Sequence, residues 1–238
     1  MLHDLQVLCF DLDDTFWDVR PVLDRAEQRV GEFLELRYPR LAQHYSRADF
    51  FAARMRLAAA EPAKAHDLTW LRTETMRRLA VEAGYPAVVG AEAFEVFIAA
   101  RNEVELFPDV RPALERFAAR FRLATLSNGN ADLDRIGLAP LFTAMFNAER
   151  LGIAKPNPEA FTAVARELGC QPGQMLFVGD DPQADVIGAR DAGLHTAWVN
   201  RRGAVWPDIA PAADLEIASL HELEGALAQV VGLNPASR

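Results

Sequence analysis

Short apolar runs that stop abruptly in polar residues recur along this chain, alternating with stretches of helical spacing. "QVLCF" (6–10) runs into "DLDDT" (11–15), and "FRLATLS" (121–127) runs into Asn-Gly. "QMLFVG" (174–179) stops at two aspartates, and "HTAWVN" (195–200) stops at two arginines. Such runs are too short for helices and show no solvent-facing side, the pattern of strands buried on both faces. Between them, "VRPALERFAARF" (110–121) and "PEAFTAVARELG" (158–169) carry apolar residues at helical spacing. In the second, Pro158 suits a first helical turn and Gly169 a stop. "ADVIGARDAG" (184–193) ends at another glycine. Strands alternating with helices predict an α/β fold on a Rossmann-like parallel sheet.

The stretch from Phe16 to Phe107 breaks this rhythm. "PVLDRAEQRVGEFLELR", "ADFFAARMRLAAA", "LTWLRTETMRRLAVEAG" and "GAEAFEVFIAARNEV" are amphipathic and helical, with no strand pattern between them. They predict a cap of about four helices at 16–107, inserted into a core made of 1–15 and 108–238. "AEPAKAHDLT" (60–69, with Ala59 before it) marks the clearest break, and "GLNPASR" (232–238) reads as a loose tail.

Composition narrows the function. The 238 residues are 50% hydrophobic and 25% charged, as in a globular protein, and the net charge is −9. An acidic balance argues against nucleic-acid or anionic-membrane partners. Two cysteines make neither a disulfide framework nor a zinc cluster. "MLHDLQVLCF" lacks a basic leader region and no apolar run reaches membrane-spanning length. The expectation is a cytoplasmic enzyme, monomeric or homodimeric.

The strand ends carry the chemistry, because ligands of open parallel sheets bind at the carboxyl ends of the strands. There the chain offers Asp11 and Asp13, then Ser127, Asn128 and Gly129, then Asp180 and Asp181, with Asp185 four residues on. "DLDDT" does not continue as an EF-hand loop, since Phe16 stands where that loop needs glycine and Val22 where it needs glutamate. "SNGN" alone suits a hairpin, but "ADLDRIGLAPLF" after it looks helical, which favours a strand-to-helix loop able to hold an anion. Lys155 in "AKPNP" alone would be a solvated surface lysine. Taken together, five carboxylates on one sheet edge require protons or a cation. Mg²⁺ matches hard oxygen ligands shared with a phosphate. Lys155, Ser127 and loop N–H groups would then hold the remaining phosphate oxygens.

The ordered set "DLDDT", "SN", Lys155-Pro156 and "GDD" with Asp185 resembles the haloacid dehalogenase (HAD) superfamily over nearly the whole chain. The resemblance implies a Rossmann-like core with a helical cap inserted after the first motif. It implies Asp11 as nucleophile, forming an aspartyl-phosphate, and Asp13 as general acid and base. It places Mg²⁺ on Asp11, the Asp13 carbonyl and Asp180, with Asp181 and Asp185 as outer or alternative ligands. Ser127 and Lys155 would stabilise the transferring phosphoryl oxygens. Haloalkanoate dehalogenases of this superfamily lack an acid two residues after the nucleophile, because departing halide needs no proton. Asp13 therefore favours phosphoester hydrolysis, with a haloacid dehalogenase or sugar phosphomutase of the same superfamily, or a non-catalytic binding or regulatory protein, as alternatives. "FDLDDTFWDVRPV", "HDLT" and "TLSNGNADL" look like the bacterial branch acting on FMN and 5-amino-6-(5-phosphoribitylamino)uracil. On this reading a small phosphorylated metabolite is the partner, contacted by Asn128, Gly129, Trp17 and Arg20. His66, Asp67 and Trp70 are more distant candidates.

Overall fold

The computed structural model describes residues 2–208 and 212–230. The tail expected at 232–238 lies outside them. Chain order is β1 (Val7–Phe10), α1 (Val19–Arg37), α2 (Pro39–His44), α3 (Arg47–Ala60), α4 (Leu68–Glu82), α5 (Val89–Arg101) and α6 (Val110–Ala118). There follow β2 (Arg122–Ser127), α7 (Leu133–Ile136), β3 (Ala144–Asn147), α8 (Ala148–Leu151), α9 (Pro158–Glu167) and β4 (Met175–Gly179). A π-helical turn (Pro182–Ile187) leads to α10 (Gly188–Asp191), β5 (His195–Val199), β6 (Leu215–Ile217) and α11 (Leu220–Val230). Among the described residues, no helix is long and apolar enough to cross a membrane.

Two compact units result. One comprises 1–18, 105–129 and 137–238, and the other 19–104 with 130–136. The helical unit thus starts three residues later than the expected insert, and it also takes in α7, which follows the "SNGN" loop.

In the first unit the six strands are parallel, in the order β3-β2-β1-β4-β5-β6. This is the predicted α/β sheet. Alternation along each strand sends neighbours to opposite faces. Val7 and Cys9 join Leu126, Phe177, Phe161 and Val164 in one core cluster. Phe10 lies 6.3 Å, ring to ring, from Phe117 of α6. Both helices read as the sequence suggests: α6 buries Val110, Ala113, Leu114 and Phe117, and α9 buries Ala160, Phe161, Val164 and Ala165. Each such side chain contributes about 1.5–3 kcal/mol if large and fully buried. Because all strands run the same way, β1, β2 and β4 deliver their carboxyl ends to one edge.

In the helical unit, α1 buries Val22, Ala26, Val30 and Leu34 at four-residue intervals, one stripe of a helix. Ala26, Val30 and Leu34 meet Met76, Leu79, Ala80, Ala93 and Phe97 of α4 and α5. Ser46 and Asp49 form a reciprocal capping box at the start of α3. The unit holds five helices in 19–104, one more than the pattern predicts, because the short α2 is hidden behind Pro39.

Candidate active site

Asp11 is the first residue past β1, the strand flanked by β2 and β4. Its N–H donates to the Val178 carbonyl at 2.9 Å, which extends the ladder and fixes its backbone. Lys155 meets it from the loop before α9. The ammonium donates to Asp11 Oδ1 at 2.5 Å and to Asp185 Oδ1 at 2.7 Å, and all three side chains are at least nine-tenths buried. Burial alone would depress the lysine pKa, but the Asp11 and Asp185 charges outweigh it and raise the value.

Asp185 reaches this point because the residue opposite is glycine. A Cβ on Gly179 would lie 2.3 Å from Asp185 Oδ2, so any larger residue would expel the carboxylate. The Asp181 N–H donates to that same Oδ2 at 3.0 Å. Asp180 follows β4 and accepts from the Thr15 hydroxyl at 3.4 Å, while its carbonyl accepts the Trp198 indole N–H at 2.8 Å. One carboxylate oxygen each from Asp11, Asp180 and Asp185 lie within 4.8 Å of one another.

Three carboxylates facing one ammonium leave excess negative charge. Burial, and then the neighbouring carboxylates, push Asp180 up to about 8. Burial also pushes Asp11 up to about 7, against the pull of Lys155. Both groups therefore bind protons more tightly folded than unfolded, where aspartate titrates near 3.9. Their contribution to stability is complete below about pH 4 and is lost as pH rises through 7 and 8. With a chelator present, thermal denaturation is expected to show melting temperature falling across that range. A flat profile would mean that the cluster is not charge-frustrated.

Asp13 stands outside this triad. The backbone after it turns sharply: Asp14 has φ +57°, its N–H donates to the Trp17 carbonyl at 2.8 Å, and the Phe16 N–H donates to the Leu12 carbonyl at 2.8 Å. The turn brings the Trp17 indole N–H to Asp13 Oδ1 at 2.9 Å. Trp17, expected to stack on a substrate ring, is instead fully buried and holds the Asp13 carboxylate.

Three other expectations change in the same way. Asp181, expected near a metal, is exposed and caps the π-helical turn, accepting from the Gln183 and Ala184 N–H groups. Asn128, expected to touch substrate, clamps the Lys155 backbone. Its amide donates to the Lys155 carbonyl and its oxygen accepts the Lys155 N–H, both at 2.8 Å. The Gly129 N–H, expected at the anion, donates to Ser127 Oγ at 3.0 Å. Ser127 itself is buried at the end of β2, on the edge that carries Asp11. Arg20 lies exposed in the first turn of α1, in the helical unit. Asp67 caps α4 through the Trp70 N–H at 2.7 Å.

Arg201 is a supporting residue that the sequence reading missed. Its guanidinium donates to the Thr15 carbonyl at 3.0 and 3.2 Å and to Asp109 at 3.0 and 3.1 Å. It also lies 4.1 Å from the centre of the Phe107 ring. Burial would raise the Asp109 carboxyl, but Arg201 and the Leu220 N–H hold it below the usual range. Thr15 closes the Asp11–Thr15 motif, so Arg201 ties that motif to α6 and α11. The available signal was a pair of arginines directly after a strand.

A buried aspartate paired with lysine and backed by two further acids thus stands on the carboxyl edge of a parallel sheet, where ligands of such sheets bind. The chain belongs to the haloacid dehalogenase-like hydrolase family, whose model matches residues 5–193. It is 31% identical over 202 residues to 5-amino-6-(5-phospho-D-ribitylamino)uracil phosphatase YigB of Escherichia coli, covering 83% of this chain and 84% of that protein. It is 34% identical over 158 residues to phosphoserine phosphatase of Thermus thermophilus, covering 64% and 63%. A crystal structure described as 2-haloacid dehalogenase from Pseudomonas syringae superposes with a TM-score of 0.91 at 35% identity, covering 95% of this chain and 99% of that one.

Proposed function

We propose that this protein is a Mg²⁺-dependent phosphomonoester hydrolase acting through an aspartyl-phosphate on Asp11. The observation that carries this reading is Asp13, held by Trp17 two residues past the Lys155-paired Asp11. Asp11 attacks phosphorus and the alkoxide leaves with a proton from Asp13. Asp13 then takes a proton from water, whose oxygen attacks phosphorus and returns Asp11 to its starting state. Lys155 and Ser127 offset charge on the phosphoryl oxygens. Asp11, Asp180 and Asp185 supply hard oxygen donors at one point, and the raised proton affinity of Asp11 and Asp180 marks a place that a cation would satisfy. Bound there, Mg²⁺ would neutralise the phosphate and keep Asp11 ionised.

Similarity to a dehalogenase structure supports a second reading, attack of Asp11 on a halogen-bearing carbon. That reaction has no use for a positioned proton donor or for excess negative charge beside the nucleophile. The phosphatase reading uses both.

The substrate proposal follows the similarity to YigB over most of both chains: a flavin-pathway phosphate, either FMN or 5-amino-6-(5-phosphoribitylamino)uracil. With Trp17 buried and Asp67 capping α4, Arg20 is the first candidate in the cap for contacting its ring or ribityl chain, with His66 and Trp70 as more distant ones. The test is phosphate release from a panel that also contains hexose phosphates and p-nitrophenyl phosphate. The flavin-pathway esters are expected to give the highest kcat/KM, with activity lost on chelation. A preference for hexose phosphates would sink the substrate assignment, and Mg²⁺-independent turnover would sink the metal.

A further inference from the structure

The helical unit contains a cavity of about 390 Å³, within the range of small-molecule sites. Every residue lining it belongs to 27–97, so it is a property of that unit alone. Much of its wall is apolar, from Val30, Leu34, Phe50, Met76, Phe94 and Phe97.

Three features distinguish this cavity. Two guanidinium groups, Arg54 and Arg72, share one carboxylate oxygen, Glu27 Oε1, at 3.7 and 2.6 Å. All three side chains are more than four-fifths buried, so this part of the wall carries one net positive charge away from bulk water. Arg72 also lies 3.6 Å from the centre of the Phe97 ring. Burial holds both arginines below their ordinary pKa values, Arg72 at about 10, so both stay charged at neutral pH while lacking a full complement of anions. Thr75, 6% exposed and also in the wall, has a buried hydroxyl with no hydrogen-bond partner. An unpaired buried hydroxyl is costly, and it marks this stretch of α4 as imperfectly packed beside the cavity. Finally, Gly31 sits in the middle of α1, where glycine costs about 1 kcal/mol against alanine, and a Cβ there would meet nothing within 4 Å. The open space beside it is the cavity.

We propose that this cavity binds a small amphipathic monoanion, an apolar body ending in a carboxylate. A planar carboxylate suits the guanidinium forks of Arg54 and Arg72, while the body covers the phenylalanine and methionine walls. One net positive charge calls for one negative charge, which separates this ligand from a dianionic phosphate ester. Glu32, Glu35 and Arg47 also line the cavity, but they are exposed and screened by solvent.

The test is isothermal titration of octanoate into the full chain, with octylammonium as the charge-reversed control. Octanoate is expected to bind saturably at one site and octylammonium not at all. Arg72→Met is expected to weaken octanoate by at least about tenfold. Gly31→Leu reaches into the space from a position where a Cβ meets nothing within 4 Å and with better helix propensity, so it is expected to melt no lower than wild type and to lose octanoate binding. Absence of saturable binding at millimolar octanoate would overturn the proposal. So would equal binding of octylammonium, wild-type affinity in Gly31→Leu, or a Gly31→Leu chain too strained to fold.

Discussion

Asp11→Asn is expected to lower kcat on p-nitrophenyl phosphate by at least about 1,000-fold. The amide keeps the shape of the carboxylate but not its charge or its nucleophilicity. The change also removes one of the three carboxylates that face each other around Lys155. Repulsion inside the cluster falls, so the metal-free variant is expected to melt no lower than wild type. Turnover and thermal denaturation measured on the same sample separate the two effects. An inactive and unfolded variant would mean that Asp11 is structural, and an active one would remove it as the nucleophile.

The second large effect is expected at Lys155. Lys155→Met keeps much of the aliphatic stem and deletes the ammonium that bonds Asp11 and Asp185. Removing one partner of a buried ion pair leaves uncompensated charge, at a cost of about 3–5 kcal/mol. Urea denaturation near pH 8, where the cluster is most ionised, is expected to show that loss, with partial recovery in Mg²⁺. At pH 5 the loss is expected to shrink, since Asp11 at about 7 and Asp180 at about 8 then hold protons. A loss below about 1 kcal/mol at pH 8 would show that the ammonium does not neutralise the cluster.

The parts of this molecule that were legible in the sequence are those whose signal is local. β1, β2, β4 and β5 are buried along almost their whole length, so their apolar runs stand out. β3 and β6 are edge strands of four and three residues with polar or half-buried positions, and nothing in "AMFN" or "LEI" separates them from loop. Asp11, Ser127 and Asp180 stand out in the sequence because parallel strands end where ligands bind. The misread residues owe their roles to pairings that spacing does not encode. Trp17 looked like a substrate platform, since the tight turn that folds its indole back onto Asp13 hinges on Asp14 at positive φ. Asn128 and Lys155 lie 27 residues apart, and Arg201 and Thr15 lie 186 apart. Asp181 was misread because an aspartate at a helix start serves equally well as cap or as ligand.

On the proposed phosphatase reading, what would separate this chain from a carbon-attacking relative on the same fold is the work of Asp13. A positioned acid is worth about 10²–10⁴ in rate when the leaving group needs a proton and nothing when it leaves as halide. The most direct measurement is parallel release of phosphate from an alkyl phosphate and of chloride from 2-chloropropionate, by the same Mg²⁺-supplemented preparation and by Asp13→Asn. The account expects phosphate and no chloride from the wild type, with phosphate release reduced by at least about 100-fold in the variant. Chloride release at a comparable rate, unaffected by Asp13→Asn, would contradict it.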